Sequence, residues 1–141
     1  MTDYKKIFID TAPIIYFLDD DANYGNKVEK IFANVLTNNS SLVSSTITCE
    51  EYLVHPFRQN NTDKVEAFFD FINDCGIPLY DVTVDVAKKA ARIRADYQYF
   101  KGMDALQLAI ACENGCDVFL TNDKQLKQFS DLKCILIDEW V

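Results

Sequence analysis

The stretch Lys6-Ile7-Phe8-Ile9-Asp10-Thr11-Ala12-Pro13 decides the fold, because a short apolar strand ends there at an acid and passes at once into a helix. Proline near the first helical position, with threonine before it, is a typical helix start signal. We therefore predict a strand over residues 6–9 and a helix from Thr11 through Leu18.

The same alternation of apolar runs and amphipathic segments continues along the chain. Further strands are predicted at 42–45, 77–80, 117–121 and 134–137. Further helices are predicted at about 23–37, from 48 to a stop or kink at Pro56, and at 62–75, 83–97, 104–113 and 124–129. Alternating strands and helices with short connections indicate an α/β fold of three layers, α/β/α, around a central parallel sheet. We expect one domain spanning residues 1–141.

Composition and charge set limits on the class of protein. With 49% hydrophobic and 26% charged residues, the chain resembles an ordinary globular protein. No secretory signal or membrane-spanning run is visible, so we expect a cytoplasmic protein with reduced cysteines and no membrane partner. The net charge of −8 is unlike that of a conventional nucleic-acid binder. It does not exclude an enzyme whose acids bind cations.

Four acids stand where an apolar run gives way to a turn or a helix start: Asp10, Glu51, Asp104 and Asp123. In a parallel α/β fold such places gather at one edge of the sheet, so we expect these carboxylates to share a cleft. Carboxylates in close proximity repel, and must take up protons or bind a cation. Oxygen ligands suit a hard ion, Mg²⁺ or Mn²⁺, and phosphodiester cleavage is the natural reaction for such a site.

Each acid also has a purely structural alternative. Asp10 and Asp104 each come just before a predicted helix, where an aspartate commonly caps the helix. Thr48-x-x-Glu51 matches the capping box, and taken alone this pattern favours a capping role for the glutamate. Its neighbour Glu50 points about 100° away round the helix, so the choice of second acid stays open between Glu50 and Glu51.

Four blocks of the sequence, in this order and spacing, resemble the PIN domain nucleases, and within them the compact VapC-type toxins of prokaryotic toxin–antitoxin pairs. The blocks are Phe8-Ile9-Asp10-Thr11, Ser44 to Glu51 with Tyr52 after it, Gly102-Met103-Asp104-Ala105-Leu106 with Leu108-Ala109-Ile110-Ala111, and Phe119-Leu120-Thr121-Asn122-Asp123. The resemblance covers nearly the whole chain.

This resemblance implies a Mg²⁺- or Mn²⁺-dependent endoribonuclease whose metal-binding and catalytic acids are Asp10, Glu51, Asp104 and Asp123. Asp10 and Asp104 would bind the ion most directly, and the other two would help to hold it or position the attacking water. In-line attack on a backbone phosphate would leave a 5′-phosphate and a 3′-hydroxyl. The resemblance also implies supporting hydroxyls at Thr11 and Thr121, a homodimer, and inhibition by a small antitoxin protein.

One locally basic stretch precedes Asp104, and consists of Lys88, Lys89, Arg92, Arg94 and Lys101. Lys88, Lys89 and Arg92 lie away from the apolar stripe of the predicted helix, so they are candidates for steering an RNA backbone towards the site. The alternative is an ordinary solvated helix face.

Three other functions compete with the toxin hypothesis. A PIN nuclease of RNA processing would use the same acids. A non-catalytic α/β binding module would use them only to cap helices. A phosphatase of the haloacid dehalogenase type also begins with a strand ending in Asp, but it needs a second Asp two residues later, where this chain has Ala12.

Overall fold

A five-stranded parallel sheet forms the centre of the computed structural model, which describes residues 3–140. The strands are β1 (Lys6–Ile9), β2 (Ser41–Ser45), β3 (Leu79–Tyr80), β4 (Val118–Thr121) and β5 (Lys133–Leu136). The α-helices are α1 (Thr11–Leu18), α2 (Gly25–Thr37), α3 (Thr46–Arg58), α4 (Thr62–Asp74), α5 (Val84–Asp96) and α6 (Gly102–Glu113). Short 3₁₀ helices cover Lys124–Gln128 and Ile137–Glu139. The predicted α/β class and parallel sheet are confirmed.

The strand order β3-β2-β1-β4-β5 determines where a site can form. The chain moves from β1 to one side of the sheet for β2 and β3, and then to the other side for β4 and β5. At such a switch point the connections leave a crevice outside the carboxyl ends of the strands. Phe8 of β1 pairs with Val43 of β2 and Phe119 of β4, so the ends of these three strands lie side by side.

Hydrophobic cores on both faces of the sheet hold the three layers together. Ile7 and Ile9 face the core covered by α1, α2 and α4, whereas Phe8 faces the core covered by α5 and α6. On the second face the rings of Phe8 and Phe119 stack with their centroids 5.0 Å apart. Because helices cover both faces, the central strands β1 and β4 carry continuous apolar runs, Ile7–Ile9 and Val118–Leu120, as expected of a parallel sheet.

Several element boundaries differ from the sequence prediction. Helix α3 begins at Thr46 instead of Thr48, because Ser45 caps it, and it continues through Pro56 to Arg58. Strand β3 covers only Leu79–Tyr80 of the predicted 77–80. Residues 124–128 form a 3₁₀ helix. No helix within residues 3–140 is long and apolar enough to cross a membrane.

Candidate functional site: an acidic edge of the sheet

Asp10 lies directly after β1, at the switch point, and is half-buried. Its Oδ1 accepts a hydrogen bond from the backbone N–H of Thr11, and its Oδ2 accepts one from Thr121 Oγ1, each at 2.8 Å. Burial raises the pKa of this carboxyl to about 6. The two hydrogen bonds oppose that rise, while the charges of Asp104 and Glu51 add to it. The ionised form of Asp10 is therefore costly in the folded protein unless a cation is nearby.

Glu51 lies in the second turn of α3, and its Oε1 accepts a 2.6 Å hydrogen bond from Thr11 Oγ1 on α1. The capping-box interpretation of this residue is wrong, because Ser45 supplies the cap of α3. Both glutamates are exposed, but Glu51 lines the cleft next to Asp104 and Glu50 does not. The geometry therefore favours Glu51 as the second acid.

Asp104 lies in the first turn of α6 rather than at its N-cap position, which Lys101 occupies. The alternative that Asp104 is the N-cap residue of this helix is therefore wrong, although its carboxylate accepts a backbone hydrogen bond from Lys101. Burial raises its pKa, the charges of Asp123 and Glu51 raise it further, and the Lys101 ammonium opposes the shift. The positive end of the α6 dipole favours a carboxylate in this turn.

Asp123 follows β4, the strand next to β1 in the sheet. Its Oδ1 accepts the backbone N–H of Gln125 at 3.0 Å and so caps the 3₁₀ helix. Its own backbone N–H donates to Thr121 Oγ1 at 3.1 Å. Asp123 therefore caps the 3₁₀ helix and also lies close enough to Asp104 to raise the pKa of that carboxyl.

The four acids thus come from β1, α3, α6 and the end of β4 to one edge of the sheet. As they stand, no three His, Cys, Asp or Glu side chains of residues 3–140 are grouped closely enough to hold a metal ion. Magnesium does not require such a cage, because it keeps several waters and is usually bound through one or two carboxylates. The donor atoms are carboxylate oxygens, and their mutual repulsion favours a bound cation. These residues therefore fit a hydrated Mg²⁺ or Mn²⁺ ion.

A cavity of about 690 Å³ opens beside the acids. Glu51 and Asp104 line it together with Arg94 and Lys101, and alanines of α5 form part of its wall. The cavity wall therefore carries two cations as well as two acids.

The structure corrects the sequence prediction of which cations face the site. Lys89 Nζ pairs with Asp131 at 2.7 Å, and Arg92 pairs with Asp96 on its own helix at 3.0 Å. These two residues are thus committed elsewhere, and Lys88 does not line the cavity. Of the basic stretch, only Arg94 and Lys101 line the cavity.

The sequence interpretation missed the polar residues that lie beneath the acids. Ser45, Thr48 and Gln107 are buried and hydrogen-bonded to one another below Thr11 and Glu51. One feature of the sequence could have predicted this network: Gln107 is a lone amide in the predicted helix 104–113, which is otherwise largely apolar.

Comparisons with known proteins support the same interpretation of the fold. A family model for the PIN domain matches residues 7–132. Among curated proteins, no sequence matches the chain. Solved structures of similar fold include VapBC2 from Rickettsia felis bound to a DNA fragment from its promoter, with a TM-score of 0.78 and 12% identity, covering 93% of this chain and 98% of that one.

Two further structures give the same result. FitAcB from Neisseria gonorrhoeae has a TM-score of 0.73 and 17% identity, and the match covers 95% of this chain and 99% of that one. VapC20 from Mycobacterium tuberculosis, described as a toxin that cleaves the sarcin-ricin loop, has a TM-score of 0.68 and 16% identity over 90% of this chain and 98% of that one. At these identities the matches show a shared fold.

Proposed function

Because the chain belongs to the PIN domain family, we propose that it is a Mg²⁺- or Mn²⁺-dependent endoribonuclease with its site at Asp10, Glu51, Asp104 and Asp123. The resemblance inferred from the sequence blocks is thereby confirmed for the family and the fold. One observation supports the activity most strongly: acids from separate parts of the chain lie near enough to one another, beside the switch point, that Asp104 and Glu51 raise the pKa of Asp10, and Asp123 and Glu51 raise that of Asp104. Like charges in close proximity repel, so this arrangement favours a bound cation.

Asp10 and Asp104 would hold the ion most directly, and Glu51 and Asp123 would help to hold it or orient the attacking water. When bound, such an ion lowers the pKa of water and stabilises charge that builds on a phosphoryl oxygen. Thr121 fixes the Asp10 carboxylate by its 2.8 Å hydrogen bond. The acids are therefore oriented before the ion or the RNA arrives, which reduces the cost of assembling the site.

Arg94 and Lys101 are proposed to bind phosphates that flank the cleaved bond. Both line the same cavity as Glu51 and Asp104. Local cations of this kind offset the overall charge of −8 where the RNA backbone enters. The assignment of RNA as the substrate is supported by the similar toxin VapC20, which is described as cleaving the sarcin-ricin loop.

The chain is further proposed to be the toxin of a toxin–antitoxin pair, to form a homodimer and to bind a small antitoxin. Support for the toxin assignment and the antitoxin partner comes from the similar solved structures, which include VapBC complexes and a toxin–antitoxin complex from Klebsiella pneumoniae. Expression of a toxin alone arrests growth, and coexpression of the protein encoded by a neighbouring short gene relieves it. Normal growth under strong expression of the active protein would instead favour a PIN nuclease of RNA processing.

The activity is tested with purified protein, RNA and either Mg²⁺ or Mn²⁺. Cleavage is expected only with a divalent ion, is stopped by a chelator, and is lost in Asp104→Asn. Asp81→Asn is the matched control, because Asp81 is an exposed acid outside the cleft. Chelator-resistant cleavage, or full activity of Asp104→Asn, would contradict the proposal.

A non-catalytic binding module is the second candidate function, because Asp10 and Asp123 both accept backbone N–H groups at helix starts. Glu51 is not at such a position, since it lies in the second turn of α3. Asp104 lies in the first turn of α6, where it also accepts a backbone hydrogen bond from Lys101. Capping aspartates bind divalent ions negligibly, so titration with Mn²⁺ separates the two candidates. Absence of binding would favour the module.

A further inference from the structure

A buried hydrogen-bonded network lies beneath the acids and centres on Gln107. This residue is one turn after Asp104 on α6, and only 1% of its surface is exposed. Its amide contacts Ser45 at the end of β2, Thr48 on α3 and Thr11 on α1. A buried amide is costly unless its hydrogen bonds are made, so its place in an apolar helix requires a reason.

The first N–H groups of α3 determine which groups of the network donate and which accept. Ser45 Oγ accepts the backbone N–H groups of Ile47 and Thr48 at 3.2 and 3.3 Å. The hydroxyl hydrogen of Ser45 is therefore donated to Gln107 Oε1. This orients the amide, and Gln107 Nε2 donates to Thr48 Oγ1 at 2.7 Å and to Thr11 Oγ1 at 3.5 Å.

The network ends on a carboxylate of the proposed site. Thr11 Oγ1 accepts from the Gln107 amide and donates its single hydrogen to Glu51 Oε1 at 2.6 Å. These bonds run in one direction, from the first N–H groups of α3 through the amide to the carboxylate. Hydrogen bonds arranged in this way polarise and strengthen one another.

We propose that Gln107 is a positioning residue for Glu51, acting through Thr11. The amide fixes the direction in which the Thr11 hydroxyl donates, which holds Oε1 of Glu51 and leaves Oε2 available to an ion. The inference rests on the proposed metal-dependent nuclease function. Mutation of a residue that hydrogen-bonds to a metal ligand typically lowers metal affinity or activity by about ten- to a hundredfold.

The variant Gln107→Met tests this role, because methionine has a similar length and makes no comparable hydrogen bonds. We expect its Mn²⁺ dissociation constant, measured by calorimetry, to rise by about tenfold or more. We also expect kcat for RNA cleavage to fall while KM for RNA changes little. An unchanged Mn²⁺ affinity in the folded variant would overturn the proposal.

Ser44→Ala is the matched control for the loss of a buried hydrogen bond. Ser44 is fully buried on β2, and its Oγ donates to the Ile9 carbonyl at 2.8 Å without contacting a carboxylate. We expect a lower melting temperature with wild-type Mn²⁺ affinity. Equal losses of affinity in Ser44→Ala and Gln107→Met would show that packing damage alone explains the effect, and would overturn the proposal.

Variants of Thr11 test the last link of the network, including when Gln107→Met does not fold. Thr11→Ser keeps the hydroxyl and is expected to retain Mn²⁺ affinity, whereas Thr11→Val has the same shape without it and is expected to lose affinity by about tenfold. Equal affinities for these two variants would overturn the positioning role alone. Absence of Mn²⁺ binding by the wild-type protein would instead overturn the nuclease proposal and this inference with it.

Discussion

Thr121 Oγ1 donates a 2.8 Å hydrogen bond to Asp10 Oδ2, and this bond joins the carboxyl ends of the neighbouring strands β4 and β1. The same oxygen accepts the backbone N–H of Asp123 at 3.1 Å. One buried hydroxyl thus fixes two acids of the proposed site. The bond lowers the pKa of Asp10, but burial outweighs it and the pKa rises to about 6.

We predict that Asp10→Asn stabilises the metal-free protein at alkaline pH. The ordinary pKa of this carboxyl is 3.8, so the folded protein holds the proton more tightly than the unfolded chain does. Its ionisation therefore destabilises the fold progressively between about pH 4 and pH 6, and fully above that range. The expected gain in the free energy of unfolding is on the order of 2 kcal/mol at about pH 8.

Urea unfolding in the presence of a chelator measures this effect at several pH values. The difference between Asp10→Asn and wild type is expected to shrink as the pH falls towards about 4, where both side chains are neutral. Asp81→Asn, which changes an exposed acid, is expected to show no such dependence. A pH-independent loss of stability in Asp10→Asn would refute the prediction.

The sequence predicted the sheet well because its strands are short, apolar and followed by strong helix starts. It predicted the helix starts around the acids less well. The sequence suggested Thr48 and Asp104 as N-cap residues. In the structure Ser45 caps α3, and Lys101 occupies the N-cap position of α6 without a side-chain hydrogen bond. A one- or two-residue shift of a helix start is invisible to periodicity, because the pattern of buried positions stays the same.

The choice between the adjacent acids of α3 leads to a second prediction. Glu51→Gln is expected to reduce kcat for RNA cleavage by more than about tenfold, because it removes a carboxylate charge from the cleft. Glu50→Gln removes the same charge at a position that does not line the cleft, and is expected to leave kcat near the wild-type value. A larger loss in Glu50→Gln than in Glu51→Gln would reverse the assignment.

The cations of the cleft give a third prediction. Arg94→Gln and Lys101→Gln are expected to raise KM for RNA several-fold and to weaken its salt dependence, because each removes one phosphate contact. Arg92→Gln is the matched control, since Arg92 pairs with Asp96 at 3.0 Å and does not line the cavity. Kinetics at several salt concentrations measure both effects. Equal KM values for all three variants would exclude a role for the cleft cations.

The polar network and the identity of the cations that line the cleft could not be predicted from the sequence, and the reason is physical. Which face of α5 turns towards the site depends on how α5 packs against α6, and the pattern of charges does not encode that packing. Lys89 is therefore indistinguishable from Arg94 until Asp131 is seen beside it. The Arg92–Asp96 pair, at i,i+4 spacing on one helix, was open to prediction from the sequence.

Calorimetric titration of Mn²⁺ into the wild-type protein, Asp10→Asn and Asp104→Asn tests most directly whether acids from distant parts of the chain share one ion. We predict binding by the wild-type protein and a loss of at least about tenfold in affinity for each variant, with Asp81→Asn unchanged. Failure of the wild-type protein to bind Mn²⁺, or equal affinities in all four proteins, would contradict the account.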